Sequence, residues 1–181
     1  MSNAGRALDR RELLQRAVLL VGGAAALASL EACDLSHARF FNADQRARLD
    51  RITDIMIPAT DTPGAIGAGV PAFMDAMMTH WASRASREQM VSVLDDVDAR
   101  ARATHNKAFL ELDARQQEDI VRGYDAEQMR GPGKAYRAFK DLVLLGYYHS
   151  EIGATKELHY ELVPGHWIAD APLADIGRTW A

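Results

Sequence analysis

The chain has 181 residues and a mass of 19.9 kDa; 48% of its residues are hydrophobic, 25% are charged, and the formal net charge is −4. That length supports one domain with its own core and excludes two domains of ordinary size. The acidic balance argues against a nucleic-acid partner, and a single cysteine excludes an intrachain disulfide or a multi-thiolate metal site.

The composition is uneven along the chain. Residues 1–33 hold Arg6, Arg10, Arg11 and Arg16 against Asp9, Glu12 and Glu31, and the stretch from Ala17 to Leu30 carries no charge. Its 14 residues are too few to span a bilayer, which takes about 20. They fit the apolar core of an export signal, about 7–15 residues long. Directly before them, Arg10-Arg11-Glu12-Leu13-Leu14 resembles a twin-arginine export signal: paired arginines, one polar residue, two large apolar ones. An amphipathic surface helix is the poorer reading, because Gly22-Gly23 weakens a helix and no polar face is present. The end of the leader stays open. Ala26-Leu27-Ala28 reads as a cleavage site, and Leu30-Glu31-Ala32-Cys33 as a degraded lipobox in which Cys33 is either lipidated or an incidental thiol. The expectation is a signal segment over 1–33, a domain over 34–181 and a periplasmic location. Membrane association is then indirect, or through a lipidated Cys33.

Beyond the leader the pattern is helical. Asn42 with Gln45 reads as a capping box opening a helix, with Leu49, Ile52, Ile55 and Met56 on one face and Arg46, Arg48, Asp50 and Arg51 on the other. Pro58 ends it. A Gly/Pro segment from Thr60 to Val70 follows, and Pro71 suits the first position of a second helix, Ala72 to about Ala82, with Phe73, Met77 and Trp81 at helical spacing. Met74, Met77, Met78 and Trp81 read as core filler or as a partner-facing stripe. Ser86 with Gln89 suggests a second capping box, for a helix through Met90, Val93, Leu94, Val97 and Ala101 to His105. Asp95, Asp96 and Asp98 read as its solvated face. Asp113 with Gln116 opens a short fourth helix, closed by Gly131-Pro132-Gly133. The fifth, Ala135 to about His149, lines up Tyr136, Phe139, Leu142, Val143, Gly146 and Tyr147. The last thirty residues have no sustained period and read as an irregular tail. With no βαβ alternation, hairpin signal or repeat, the expected class is all-α: one domain of about five helices with long irregular loops.

No catalytic constellation is apparent. The six histidines (His37, His80, His105, His149, His159 and His166) include no two-His helical zinc pair and follow no Cys-x-x-Cys haem attachment. A metal or haem site from His149, Glu151, His159 and His166 is the alternative reading, although histidines at helix ends and in loops more often make ordinary hydrogen bonds. Gly64, Gly67 and Gly69 follow a helix rather than a strand, which a dinucleotide fingerprint requires. No nucleophile elbow is present. We therefore expect no catalytic, cofactor or metal residue in this chain. The two Gly/Pro segments, Thr60 to Val70 and Leu162 to Trp180, are long for ordered loops, and the C-terminal region as a whole carries Tyr147, Tyr148, Tyr160, Trp167 and Trp180. They read equally as a contact surface for a protein partner or as cover for the helical core.

Two stretches resemble one family. Asp61-Thr62-Pro63-Gly64-Ala65 with Gly69-Val70-Pro71, and Gly146-Tyr147-Tyr148-His149-Ser150-Glu151-Ile152-Gly153 followed by Tyr160-Glu161-Leu162-Val163-Pro164-Gly165, are similar to the signature of the gluconate 2-dehydrogenase subunit 3 family. The resemblance covers roughly Asn42 to Pro172, with the motifs in the same order. Tyr148-His149 departs from it where members often carry a threonine before the Ser-Glu pair. The resemblance implies a non-catalytic small subunit that binds, stabilises and escorts a large FAD-dependent dehydrogenase of the glucose–methanol–choline type. That large subunit would carry the FAD, oxidise a sugar, sugar acid or polyol, and pass electrons to a cytochrome c subunit or a quinone. The residues implied at the partner surface are Asp61, Thr62, Pro63, Gly64, Tyr147, Tyr148, Ser150, Glu151, Pro164, Gly165 and Trp167. Many members carry twin-arginine signals, whose cargo crosses the membrane already folded.

Overall fold

The first helix begins where two side chains exchange hydrogen bonds with the backbone. Gln45 N–H donates to Asn42 Oδ1 at 2.8 Å, and Asn42 N–H donates to Gln45 Oε1 at 3.1 Å, so donors that a helix start leaves orphaned are satisfied. The computed structural model describes residues 39–160 and, beyond them, Gly165, Asp170, Pro172, Ala174, Gly177 and Thr179. The expected signal segment over 1–33, with Arg10, Arg11, Leu13, Leu14 and Cys33, lies outside the described residues, as do Pro164, His166 and Trp167.

Five α-helices follow one another among the described residues: α1 (Ala43–Met56), α2 (Val70–His80), α3 (Arg84–His105), α4 (Ala114–Arg130) and α5 (Lys134–Tyr148). The same residues include no β-strand, so the chain is all-α. α1 stops at Met56, because Ile57 precedes Pro58 and the residue before a proline avoids helical backbone. α2 starts one residue earlier than Pro71, with Gly69 at φ 72° as its cap and Pro71 in its second position. α3 begins at Arg84, not near Ser86: Ser83 caps it, its hydroxyl accepting from Ser86 N–H at 3.1 Å. α4 has the Asp113–Gln116 capping box and runs for 17 residues, so it is not short. Two elements carry no periodic signal in the sequence, the 3-10 turn Phe109–Glu111 and the π-helical turn Gly153–Glu157.

α3 is the centre of the fold, packing against α1, α4, α5 and the 3-10 turn; α2 packs on α1 and α5. The core between them includes Leu49, Ile52, Val93, Leu94, Phe109, Phe139 and Val143, each fully excluded from water. Burial at this level contributes about 1.5–3 kcal/mol per large apolar side chain. Tyr136 meets Tyr124 edge-on at 5.0 Å and stacks on Phe139 at 6.4 Å, tying α4 to α5.

Several side chains lie where helical period alone does not place them. Arg48, expected on the polar face of α1, is only 9% exposed. Its stem lies along the core, and its head donates to the Leu94 carbonyl (3.1 Å), Asp95 (3.0 Å) and Asp44 (2.6 Å). Asp95, Asp96 and Asp98 are therefore not simply a solvated face. Asp95 takes Arg48, Asp96 accepts from the Tyr124 hydroxyl at 3.0 Å, and Asp98 accepts from Phe109 N–H at 2.8 Å and from Arg102. Met74 and Met78 are core, with Met77 packed partly against it. Trp81 departs from them: α2 ends at His80, so Trp81 leaves the helix and stands 81% exposed.

Candidate functional site

The segment joining α1 to α2 is held by its own backbone. Ala65 N–H donates to the Ile57 carbonyl at 2.8 Å, Ala68 N–H to Gly64 at 3.0 Å and Val70 N–H to Ala65 at 3.0 Å. This fold-back needs glycine at 64, because a Cβ there would collide with the Ile57 carbonyl oxygen. Ala65 is fully buried beneath it. The turn leaves Asp61 exposed at its tip, and the Thr60 hydroxyl, donating at 2.9 Å, holds the Asp61 carboxyl below its ordinary pKa.

The end of α5 is shaped by a second glycine. The Ser150 hydroxyl donates to the Tyr147 carbonyl at 2.6 Å and accepts from Gly153 N–H at 2.9 Å. A Cβ at Gly153 would overlap that same Tyr147 carbonyl oxygen, so only glycine lets the chain enter the π-helical turn so closely. Earlier in α5, a Cβ at Gly146 would stand 2.7 Å from the Phe73 ring, so this glycine makes room for a side chain of α2.

These two segments, far apart in sequence, meet. The Tyr147 hydroxyl donates to the Pro63 carbonyl at 3.0 Å, and the Thr62 hydroxyl donates to Glu157 at 2.9 Å. A shallow hollow of about 680 Å³ lies along the seam, lined by Asp61, Thr62, Pro63, Ile152, Lys156 and Glu157. Gly64 and Tyr147 are buried and shape this surface from within. Ser150 is half-buried in its local cap, while Asp61, Pro63, Tyr148 and Glu151 are exposed. Tyr148 stands edge-on to Tyr147 at 5.4 Å and adds an aromatic face beside the seam. Gly165 is exposed. Ile152 belongs to the family motif, whereas Lys156 and Glu157 join the site without any sequence signal, since the turn that carries them has no helical period.

Two histidines of the alternative metal or haem reading, His149 and His159, are among the described residues. His149 Nδ1 lies 3.0 Å from the Leu145 carbonyl, one turn back in its own helix, and His159 N–H donates to the Thr179 carbonyl at 2.8 Å. Among the described residues no three His, Cys, Asp or Glu side chains are grouped to hold a metal ion. No helix among them is long and apolar enough to cross a membrane.

The family described as gluconate 2-dehydrogenase subunit 3 matches residues 43–165, more than half of the chain. This chain is a member of that family. The match opens at the first residue of α1 and includes both segments of the seam. No curated protein and no solved structure matches the chain. The family is named for a subunit of a dehydrogenase complex, so gluconate 2-dehydrogenase subunit 3 proteins are parts of a larger assembly.

Proposed function

We propose that this member of the gluconate 2-dehydrogenase subunit 3 family is the non-catalytic small subunit that binds, stabilises and escorts a large FAD-dependent dehydrogenase of the glucose–methanol–choline type. The partner oxidises a sugar, sugar acid or polyol, holds the FAD and hands electrons onward, a cytochrome c subunit being one recipient. The observation that carries this reading is family membership joined to the seam, where the two signature segments are pinned by Tyr147 and Thr62 into one partly exposed surface. An ordered surface is pre-organised for association, because little chain entropy remains to be lost on binding.

Export belongs to the same reading. A flavoprotein that folds around FAD in the cytoplasm leaves that compartment folded, and a bound companion with the Arg10-Arg11 signal supplies the address for both. Replacing Arg10 and Arg11 together by Lys tests this by fractionation. The expected result is retention of both chains in the cytoplasm. Normal delivery of both to the periplasm would contradict it.

A further inference from the structure

Just before α1, two successive backbone amides turn toward a single side chain. Phe40 N–H and Phe41 N–H both donate to one oxygen of Asp75, Oδ1, at 3.1 and 3.0 Å, across 35 and 34 residues of chain. Asp75 stands in the middle of α2 and is only 8% exposed, and among the described residues no cation pairs with it. A buried carboxyl costs stability unless hydrogen bonds satisfy it, so these two amides offset its burial.

Other contacts close over the same two residues. Phe41 is 3% exposed and belongs to the core. The Phe40 ring meets the Phe41 ring edge-on at 4.9 Å, and the Arg87 guanidinium of α3 lies 5.8 Å from its centre on the ring face. Arg87 also donates to the Thr79 carbonyl at 2.9 Å, in the last turn of α2. Phe40 and Phe41 are thereby tied to α2 and α3 at once, whereas Arg39, directly before them, is exposed.

We propose that Asp75 is a latch that closes the N-terminal end of the helical domain at Phe40 and sets how far proteolytic processing can run inward from that end. Every group of the latch lies downstream of Arg39, so a cut upstream of Arg39 removes none of these contacts. A cut at the Arg39–Phe40 bond is different, because a protease takes up extended chain on both sides of the bond it breaks. Phe40 and Phe41 must leave Asp75 first, and the rate of that cut follows the population of the open latch. The latch acts whether or not the escort reading holds.

The test treats the full chain with trypsin, for which Arg39 supplies the cleavable residue, and follows the cut after Arg39 by intact mass. Wild type is compared with Asp75→Ala. Alanine keeps the helix propensity of α2, and helix content and Tm are measured alongside. The expected result is cleavage after Arg39 at least tenfold faster in the variant. Equal rates would overturn the proposal and assign the closure to burial of Phe41 alone. A second measurement needs no variant: hydrogen exchange of the Phe40 and Phe41 amides in the wild-type chain, against a short peptide of the same local sequence. Exchange at least tenfold slower in the protein is expected. Exchange at the peptide's rate would overturn the latch, whatever the folding of Asp75→Ala.

Discussion

The hydroxyl of Tyr147, near the end of α5, donates to the carbonyl of Pro63 at 3.0 Å across 84 residues of chain. One buried ring therefore fixes the turn between α1 and α2 against the far end of the helical bundle. Tyr147→Phe keeps the ring packing and removes only this bond. We predict a loss of about 1 kcal/mol in unfolding free energy. Faster exchange of the Ala65 amide is also predicted, since that N–H closes the turn onto Ile57. Unchanged exchange at Ala65 would show that the turn does not depend on Tyr147.

Gly146 sets a second constraint. In an ordinary helix interior, Gly→Ala stabilises by about 1 kcal/mol. Here a Cβ would stand 2.7 Å from the Phe73 ring, so that ring, or α2 with it, would have to shift. Overpacking of this kind costs about 1–3 kcal/mol, so Gly146→Ala is predicted to be net destabilising. A raised Tm in thermal unfolding would contradict the close α2–α5 approach.

Acid should weaken the fold through Asp98. Burial tends to raise its pKa, but the Phe109 N–H and Arg102 hold it below the ordinary value of 3.8. A depressed folded-state pKa gives stability that is present above the unfolded value and lost as the pH falls through the folded one. Unfolding free energy should therefore decline below about pH 4. Asp98→Asn should flatten that decline, with Asp125 contributing the remainder in the same direction. An identical acid limb in the variant would exclude Asp98 as a source. Asp98→Ala, which strands the buried Phe109 N–H, should cost about 1–3 kcal/mol at neutral pH.

The helices and their caps were largely legible because their causes are local. Asn42–Gln45 and Asp113–Gln116 are reciprocal pairs three residues apart, and Gly131 follows α4 directly. The start of α3 was less legible, since Ser83 and Ser86 both suit a cap and only the backbone shows which one accepts. Arg48 and Trp81 were misplaced by helical period for opposite reasons. Arg48 is drawn inward by a carbonyl on α3, 46 residues away, whereas Trp81 is released because α2 ends one residue before it. At the seam, the turn residues and α5 were visible as motifs, but Glu157 was not. Its partner Thr62 is 95 residues distant, and the turn that carries it depends on Gly153 passing close to the Tyr147 carbonyl.

The proposed escort role requires a flavoprotein that depends on this chain to mature and leave the cytoplasm. The direct measurement is exported, FAD-loaded dehydrogenase activity, with the large subunit expressed in the presence and absence of this chain. With the chain, soluble flavoprotein carrying FAD should accumulate in the periplasm; without it, activity there should fall at least tenfold and the large subunit should remain in the cytoplasm or aggregate. Equal periplasmic activity in both cases would contradict the escort role.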